Sequence, residues 1–226
     1  MAMVHCTQVA PARKPPSSRF PTASFCHEMR NYLQLLSVQS VAIAQADSSE
    51  ARATQLARQM DLLSDSTGLL NLYCYRRECT DLADTELCLF AVVPVIQQVI
   101  SAYPRFAGQI GVSICQEFSI NGCPLLLKSL LHNLMRNAWR GIAVKPDMCV
   151  HIVLESRASG KYLVFIDSGT GIAAHQLGSI FQPLISYSEG GTGLGLAICQ
   201  DIIQLFGGSM SCKSELGKYT AFQLCF

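Results

Sequence analysis

The apolar residues of this 226-residue chain change their spacing once, and that change limits what it can fold into more than any other feature. Ala53, Leu56, Met60, Leu63, Thr67, Leu70 and Cys74 alternate steps of three and four without exception, which is one narrow seam on a helix. Upstream, Phe25, Met29, Tyr32, Leu36 and Ile43 mark a second helical stripe, broken by Gln39, and Asp47-Ser48-Ser49-Glu50 is the polar turn between the two. Two helices with one narrow seam each cannot enclose a core. The spacing therefore predicts a hairpin that pairs with the hairpin of a second copy, a dimeric four-helix bundle.

Beyond the basic pair Arg76-Arg77, helical and strand-like runs alternate. Helices are expected at 91–103, at 124–142 with Pro124 at the first turn, and at 193–206, with a short helical piece at 176–181. Strands are expected at 108–117, 148–155, 161–167, 209–214 and 220–226. That pattern specifies an α+β sandwich, a mixed or antiparallel sheet with helices on one face. Residues 1–20, with three prolines and two paired serines, read as a disordered tail; 21–78 form the hairpin and 79–226 the sandwich.

Composition removes several classes of function. Half the residues are apolar and only 15% charged, so disorder over most of the length is excluded. The longest near-apolar run, 87–96, is half of what a membrane helix needs, and no signal-peptide core stands at the N-terminus, so a cytoplasmic chain without a membrane segment is expected. A net charge of +1 offers no footprint for nucleic acid. Eleven cysteines, an odd number without a CxxC pair, fall mostly in apolar segments and read as small buried hydrophobes; Cys26, beside His27, has a redox role as its alternative.

Four clusters hold polar residues or glycines where packing does not require them. Asn133 and Asn137 share one face of the long helix, where a capping or solvated pair is the ordinary reading. Asp167-Ser168-Gly169-Thr170-Gly171 ends an apolar strand; its carboxylate can accept from a ligand amine and its glycines permit close approach, or it is a plain turn. Phe181-Gln182-Pro183 precedes a Ser/Gly loop and is compatible with simple loop packing. Gly190-Gly191-Thr192-Gly193-Leu194-Gly195 opens a helix, where free amides and the helix dipole favour a phosphate.

In this order the clusters resemble the N, G1, F and G2 boxes of the ATP-binding domain, the Bergerat fold, that sensor histidine kinases share with gyrase, Hsp90-type chaperones and MutL. The segment from Phe206 to Met210 and the run from Ser214 to Phe222 resemble that family's closing strands, with Tyr219 where glycine is usual and Gln182 where glutamate is usual. Phe25-Cys26-His27-Glu28-Met29-Arg30-Asn31 resembles the phosphoacceptor box of histidine kinases, with Tyr32 in place of the customary proline; this form is similar to kinases of bacterial quorum-sensing systems.

The resemblance implies ATP and Mg²⁺ as cofactors. Asp167 would take the adenine amine, with Gly169 and Gly171 letting the ring approach and Thr220 beside it. Asn137 would hold the metal, with Asn133 and Arg140 nearby. Gly191, Thr192, Gly193, Leu194 and Gly195 would fold over the triphosphate. His27 would be the phosphoacceptor, Glu28 its proton partner, and Asn31 the amide that orients a water when a phosphorylated receiver is hydrolysed. A homodimer, a response-regulator receiver domain and an upstream sensor domain or protein are the implied partners. Two rivals remain: a non-catalytic histidine phosphotransfer or scaffold module with a degenerate ATP site, and an ATPase of the chaperone or mismatch-repair class. The second would carry a carboxylate in the N-box helix, and none lies between Lys128 and Ile142.

Overall fold

The computed structural model describes residues 88–140, 145–187 and 191–226, together with Ser48, Ser49, Arg52, Gln55, Leu56, Gln59, Leu62, Leu63 and Ser66. Of these nine scattered residues, those from Ser49 onward are helical, as expected for the second stripe. Leu56 and Leu63 of the expected seam are each about half exposed (49% and 51%), whereas Leu62 and Ser66, which lie outside it, are buried. The first stripe, and with it His27, Glu28 and Asn31, lies outside the described residues.

The elements that follow are β1 (Cys88–Ala91), α1 (Val92–Ser101), a 3-10 helix (Pro104–Gln109), β2 (Ile110–Ile114), β3 (Ser119–Gly122), α2 (Pro124–Arg140), β4 (Val150–Arg157), β5 (Gly160–Asp167), α3 (Gly195–Leu205), β6 (Ser209–Glu215) and β7 (Tyr219–Cys225). Five strands form one sheet in the order β2-β4-β5-β7-β6. Only β2 and β4 run parallel; the other three pairings are antiparallel, so the sheet is mixed. A separate antiparallel pair, β1 with β3, was not foreseen from the sequence. Both strands have four residues, and β1 merges with the apolar start of α1, so no change of period marks it.

Alternation places Ile152, Leu154, Leu163, Phe165, Phe222 and Leu224 on the inner face, all at most 2% exposed. They join Leu127, Leu130, Leu131 and Leu134 of α2 and Ile198, Ile202 and Ile203 of α3 in one continuous core. The outer face carries exposed His151 and Gln223 and half-buried Val153, Val164 and Ile166, so the helices cover one side only. Each large aliphatic side chain buried in this way contributes about 1.5–3 kcal/mol relative to exposure, which is why the helix–sheet face, and no single polar contact, fixes the fold.

Two expectations are corrected. The stretch around 176–181 is no helix: its amides bond three residues back, as in Gln176 N–H to Ala173 O and Ser179 N–H to Gln176 O, giving successive turns in a segment interrupted by Gly178 and closed by Pro183. Among the described cysteines only Cys199 is buried; Cys88, Cys115 and Cys149 are exposed, the first opening β1 and the other two standing just outside the ends of β2 and β4. No helix of the described residues is long and apolar enough to cross a membrane.

Candidate functional site

The C-terminal half of α2, the turn after β5, the start of α3 and the first residues of β7 enclose a cavity of about 340 Å³. Its two ends are built differently. At one end, antiparallel register sets Asp167 opposite Thr220, and Thr220 opposite Ser214, so that three polar residues form a row across three strands. Asp167 and Thr220 are only 6% and 5% exposed, yet both line the cavity. Asp167 Oδ1 accepts the Gly169 N–H at 3.0 Å. Burial raises the Asp167 pKa to about 6, against the opposing pull of that hydrogen bond and of Lys145. At neutral pH the carboxylate remains largely ionised, a buried acceptor suited to an amine.

The turn behind Asp167 is fastened to the β6–β7 hairpin. Gly217 N–H donates to Thr170 O at 2.6 Å, and Ile172 N–H donates to Ser214 Oγ at 2.8 Å. Gly171 has φ +69°, and a Cβ there would lie 2.2 Å from Glu215 O, so only glycine fits.

At the other end the walls are backbone and cations. Gly193 has φ +71°, and a Cβ there would lie 2.5 Å from the carbonyl carbon of Leu184; Leu184 N–H in turn donates to Gly193 O at 3.0 Å. Leu184 itself takes φ +66°, uncommon for a leucine. Thr192 Oγ1 accepts the Leu194 N–H at 3.3 Å, immediately before α3 begins at Gly195, and Gly193, Gly195 and Leu196 line the cavity. The unpaired amides of that helix start, with the positive end of its dipole, suit an anion. Arg136, Asn137 and Arg140, one face of α2, supply two cations and a carboxamide. A carboxylate at one end and cations with helix amides at the other match an amine-bearing base joined to phosphates.

Asn137, Arg140, Asp167, Gly169, Gly171, Thr192, Gly193, Gly195 and Thr220 thus all line one cavity. Asn133 is 1% exposed and is not among the lining residues; it ties two helices together, its Nδ2 donating to Gly195 O at 3.4 Å and its Oδ1 accepting from Arg136. Leu194, which is buried, and half-buried Gly191 are likewise absent from the lining. Arg136 and Tyr187, whose hydroxyl lies 2.7 Å from Ser179 Oγ, do line it and were not singled out from sequence. The i, i+3, i+4 spacing of Asn133, Arg136 and Asn137 is a signal that could have found the arginine; Tyr187, in a loop, has none. No group of three His, Cys, Asp or Glu side chains able to hold a metal occurs among the described residues. Asn137, which lines the cavity, offers a carboxamide oxygen, a donor of the kind Mg²⁺ takes.

Residues 122–226 match the family described as histidine kinase-, DNA gyrase B-, and HSP90-like ATPase. Over 225 residues, 95% of the chain, the sequence is 28% identical to the autoinducer 1 sensor kinase/phosphatase LuxN of Vibrio harveyi, of which it covers 26%. The chain therefore spans about a quarter of that relative's length. Full-length ShkA, solved in complex with AMPPNP, shares its fold with a TM-score of 0.58 at 21% identity, over 89% of this chain and 45% of that one. Histidine kinase ThkA, solved in complex with the response regulator protein TrrA, does so with a TM-score of 0.54 at 19% identity, over 90% of this chain and 60% of that one. Residues 122–226 thus match the histidine kinase-, DNA gyrase B-, and HSP90-like ATPase family, on a chain similar along most of its length to a sensor histidine kinase.

Proposed function

We propose that the chain binds ATP in this cavity, transfers the terminal phosphoryl group to His27, and hands it on to an aspartate of a response-regulator receiver domain. One observation carries the reading: a buried carboxylate, a glycine-started helix and Arg140 all line a single cavity of nucleotide size. The match to LuxN over nearly the whole chain, and the phosphoacceptor-like run around His27, support it.

In this reading the Asp167 carboxylate holds the adenine amine, and the Gly193–Gly195 backbone and Arg140 neutralise the phosphates. Mg²⁺, when bound, would supply charge neutralisation at the phosphates. Asn137 holds that ion. One ring nitrogen of a neutral His27 attacks the γ-phosphorus; the new N–P bond forms as the bond from phosphorus to the β,γ-bridging oxygen breaks, and ADP leaves with that electron pair. Glu28 accepts the proton from the other ring nitrogen. Positioning does most of the work, since phosphoryl transfer asks little covalent chemistry of the protein.

The domain boundaries proposed are a tail at 1–20, a dimer-forming hairpin at 21–78 and the ATP-binding domain at 79–226, with an upstream sensor domain or protein delivering the signal. Asn31, one helical turn beyond His27 in sequence, is assigned to dephosphorylation of the receiver. Incubation with γ-labelled ATP and Mg²⁺ tests the central claim. The expected product is an acid-labile, base-stable adduct on the protein that His27→Gln abolishes; label that persists in that variant rejects it. Equal phospho-receiver half-lives with wild-type protein and Asn31→Ala would reject the phosphatase assignment.

A further inference from the structure

The Ser214 hydroxyl has its full complement of partners. Its oxygen accepts the Ile172 N–H at 2.8 Å, lies 2.6 Å from the Tyr219 carbonyl oxygen and 3.1 Å from Thr220 Oγ1. A serine hydroxyl has one hydrogen and two lone pairs. A carbonyl oxygen can only accept, so that hydrogen goes to Tyr219, and one lone pair is taken by Ile172. The remaining contact can exist only if Thr220 donates to Ser214. The hydrogen of Thr220 is therefore turned away from the cavity that this residue lines, and its oxygen presents lone pairs alone. Beside it, in register, stands Asp167, another acceptor.

We propose that Ser214, which does not line the cavity, is a positioning residue for base selection: by holding Thr220 as an acceptor, it makes this end of the cavity reject purines that carry an acceptor at the six position. This rests on reading the cavity as a nucleotide site. An exocyclic amine brings two N–H donors to the Asp167–Thr220 pair. A six-oxo group brings a third set of lone pairs against two, and a buried acceptor left without a donor is costly. Removing the Ser214 oxygen frees the Thr220 hydrogen to swing toward the ligand and donate to an oxo group. Selection between the two bases then weakens even though neither Asp167 nor Thr220 has changed.

The test measures binding of ATP and of ITP to the full chain, with Mg²⁺, by competition against a fluorescent nucleotide. Wild-type protein is expected to prefer ATP. Ser214→Ala is expected to shrink the ATP-to-ITP affinity ratio about tenfold, and Ser214→Thr, which restores a hydroxyl, to hold it near the wild-type value. A purely structural role for Ser214 would weaken both nucleotides equally, and an unchanged ratio in Ser214→Ala overturns the proposal. Should Ser214→Ala fail to fold, Thr220→Val removes the acceptor while leaving the Ser214–Ile172 bond in place; its ratio is expected to fall as well, and a wild-type ratio there is equally fatal. Wild-type protein that binds neither nucleotide overturns the nucleotide site itself, and the role of Ser214 with it.

Discussion

The two ends of the cavity are made from different materials. Around Asp167 the wall is formed by paired strands and the turn after β5, fastened by hydrogen bonds: Gly169 N–H to Asp167 Oδ1, Gly217 N–H to Thr170 O and, behind the wall, Ile172 N–H to Ser214 Oγ and Ser214 Oγ–H to Tyr219 O. Around Gly193 and Gly195 the wall is main chain, helped by the long side chains of Arg136 and Arg140. Strand register and buried hydrogen bonds fix donor and acceptor positions closely, which is what distinguishing one base from another requires. Amides at a helix start and guanidinium groups recognise charge, which every nucleoside triphosphate carries alike. Selectivity should thus reside at the first end and phosphate affinity at the second.

The largest effect that could break this division concerns the anchored end. Gly171→Ala combines a positive φ with a Cβ only 2.2 Å from Glu215 O, and should cost about 2 kcal/mol or more of stability in denaturant unfolding. Gly178→Ala, where nothing lies within 4 Å, should stay within about 0.5 kcal/mol. Equal midpoints for the two would mean that the turn is not fastened as described. Next in size, Asp167→Asn should weaken ATP binding about 30-fold, the cost of a charge-assisted hydrogen bond, with little change for inorganic triphosphate.

The same carboxylate gives a pH dependence of defined sign. Its folded pKa, near 6, lies above that of an unfolded aspartate, so the folded state holds the proton more tightly. Its contribution to stability is fully present below pH 4 and is lost as pH rises through about 6, while amine binding, which needs the ionised form, strengthens over the same interval. Wild-type ATP affinity should therefore fall as pH drops through about 6, and Asp167→Asn should flatten that profile. The smallest effect belongs to the charged end: Arg140→Ala should weaken ATP about 3- to 10-fold and leave adenosine unchanged. A comparable loss for adenosine would move Arg140 out of the phosphate end.

Much of this was legible from residue order alone. The β4–β5 and β6–β7 pairs announce themselves by alternating Ile152 and Leu154, Leu163 and Phe165, Phe222 and Leu224 on one face, with glycine turns between them. Asp167 and the glycines at 169, 171, 193 and 195 were visible because nothing in packing calls for them where they stand. Ser214 was not. Its role depends on which residues of β5 and β7 lie across from it, and pairing register is a property of the assembled sheet. Asn133 reads from its chemistry as standing near the ligand; in the structure it is 1% exposed, bonded to Gly195 O and Arg136, and outside the lining of the cavity. The turns at 176–181 misled by composition, since Gln, Leu, Ser and Ile suit a helix and only Gly178 argues against one.

The parallel neighbour of β4 has a bearing on how pieces of this chain behave. β2 reaches the sheet through a connection that includes β3 and the whole of α2, so among the described strands of this sheet it is the one not joined to a neighbour by a hairpin. Trimming the protein to residues 122–226 would delete β2 and leave the N–H and C=O groups along Val150–Leu154 as an open ribbon edge. Such an edge recruits strands from other molecules. Shortened versions beginning there, with the eight-residue β4 as the edge, should self-associate at lower concentration than versions starting before Ile110, where the five-residue β2 is the edge instead, whatever either does with a nucleotide.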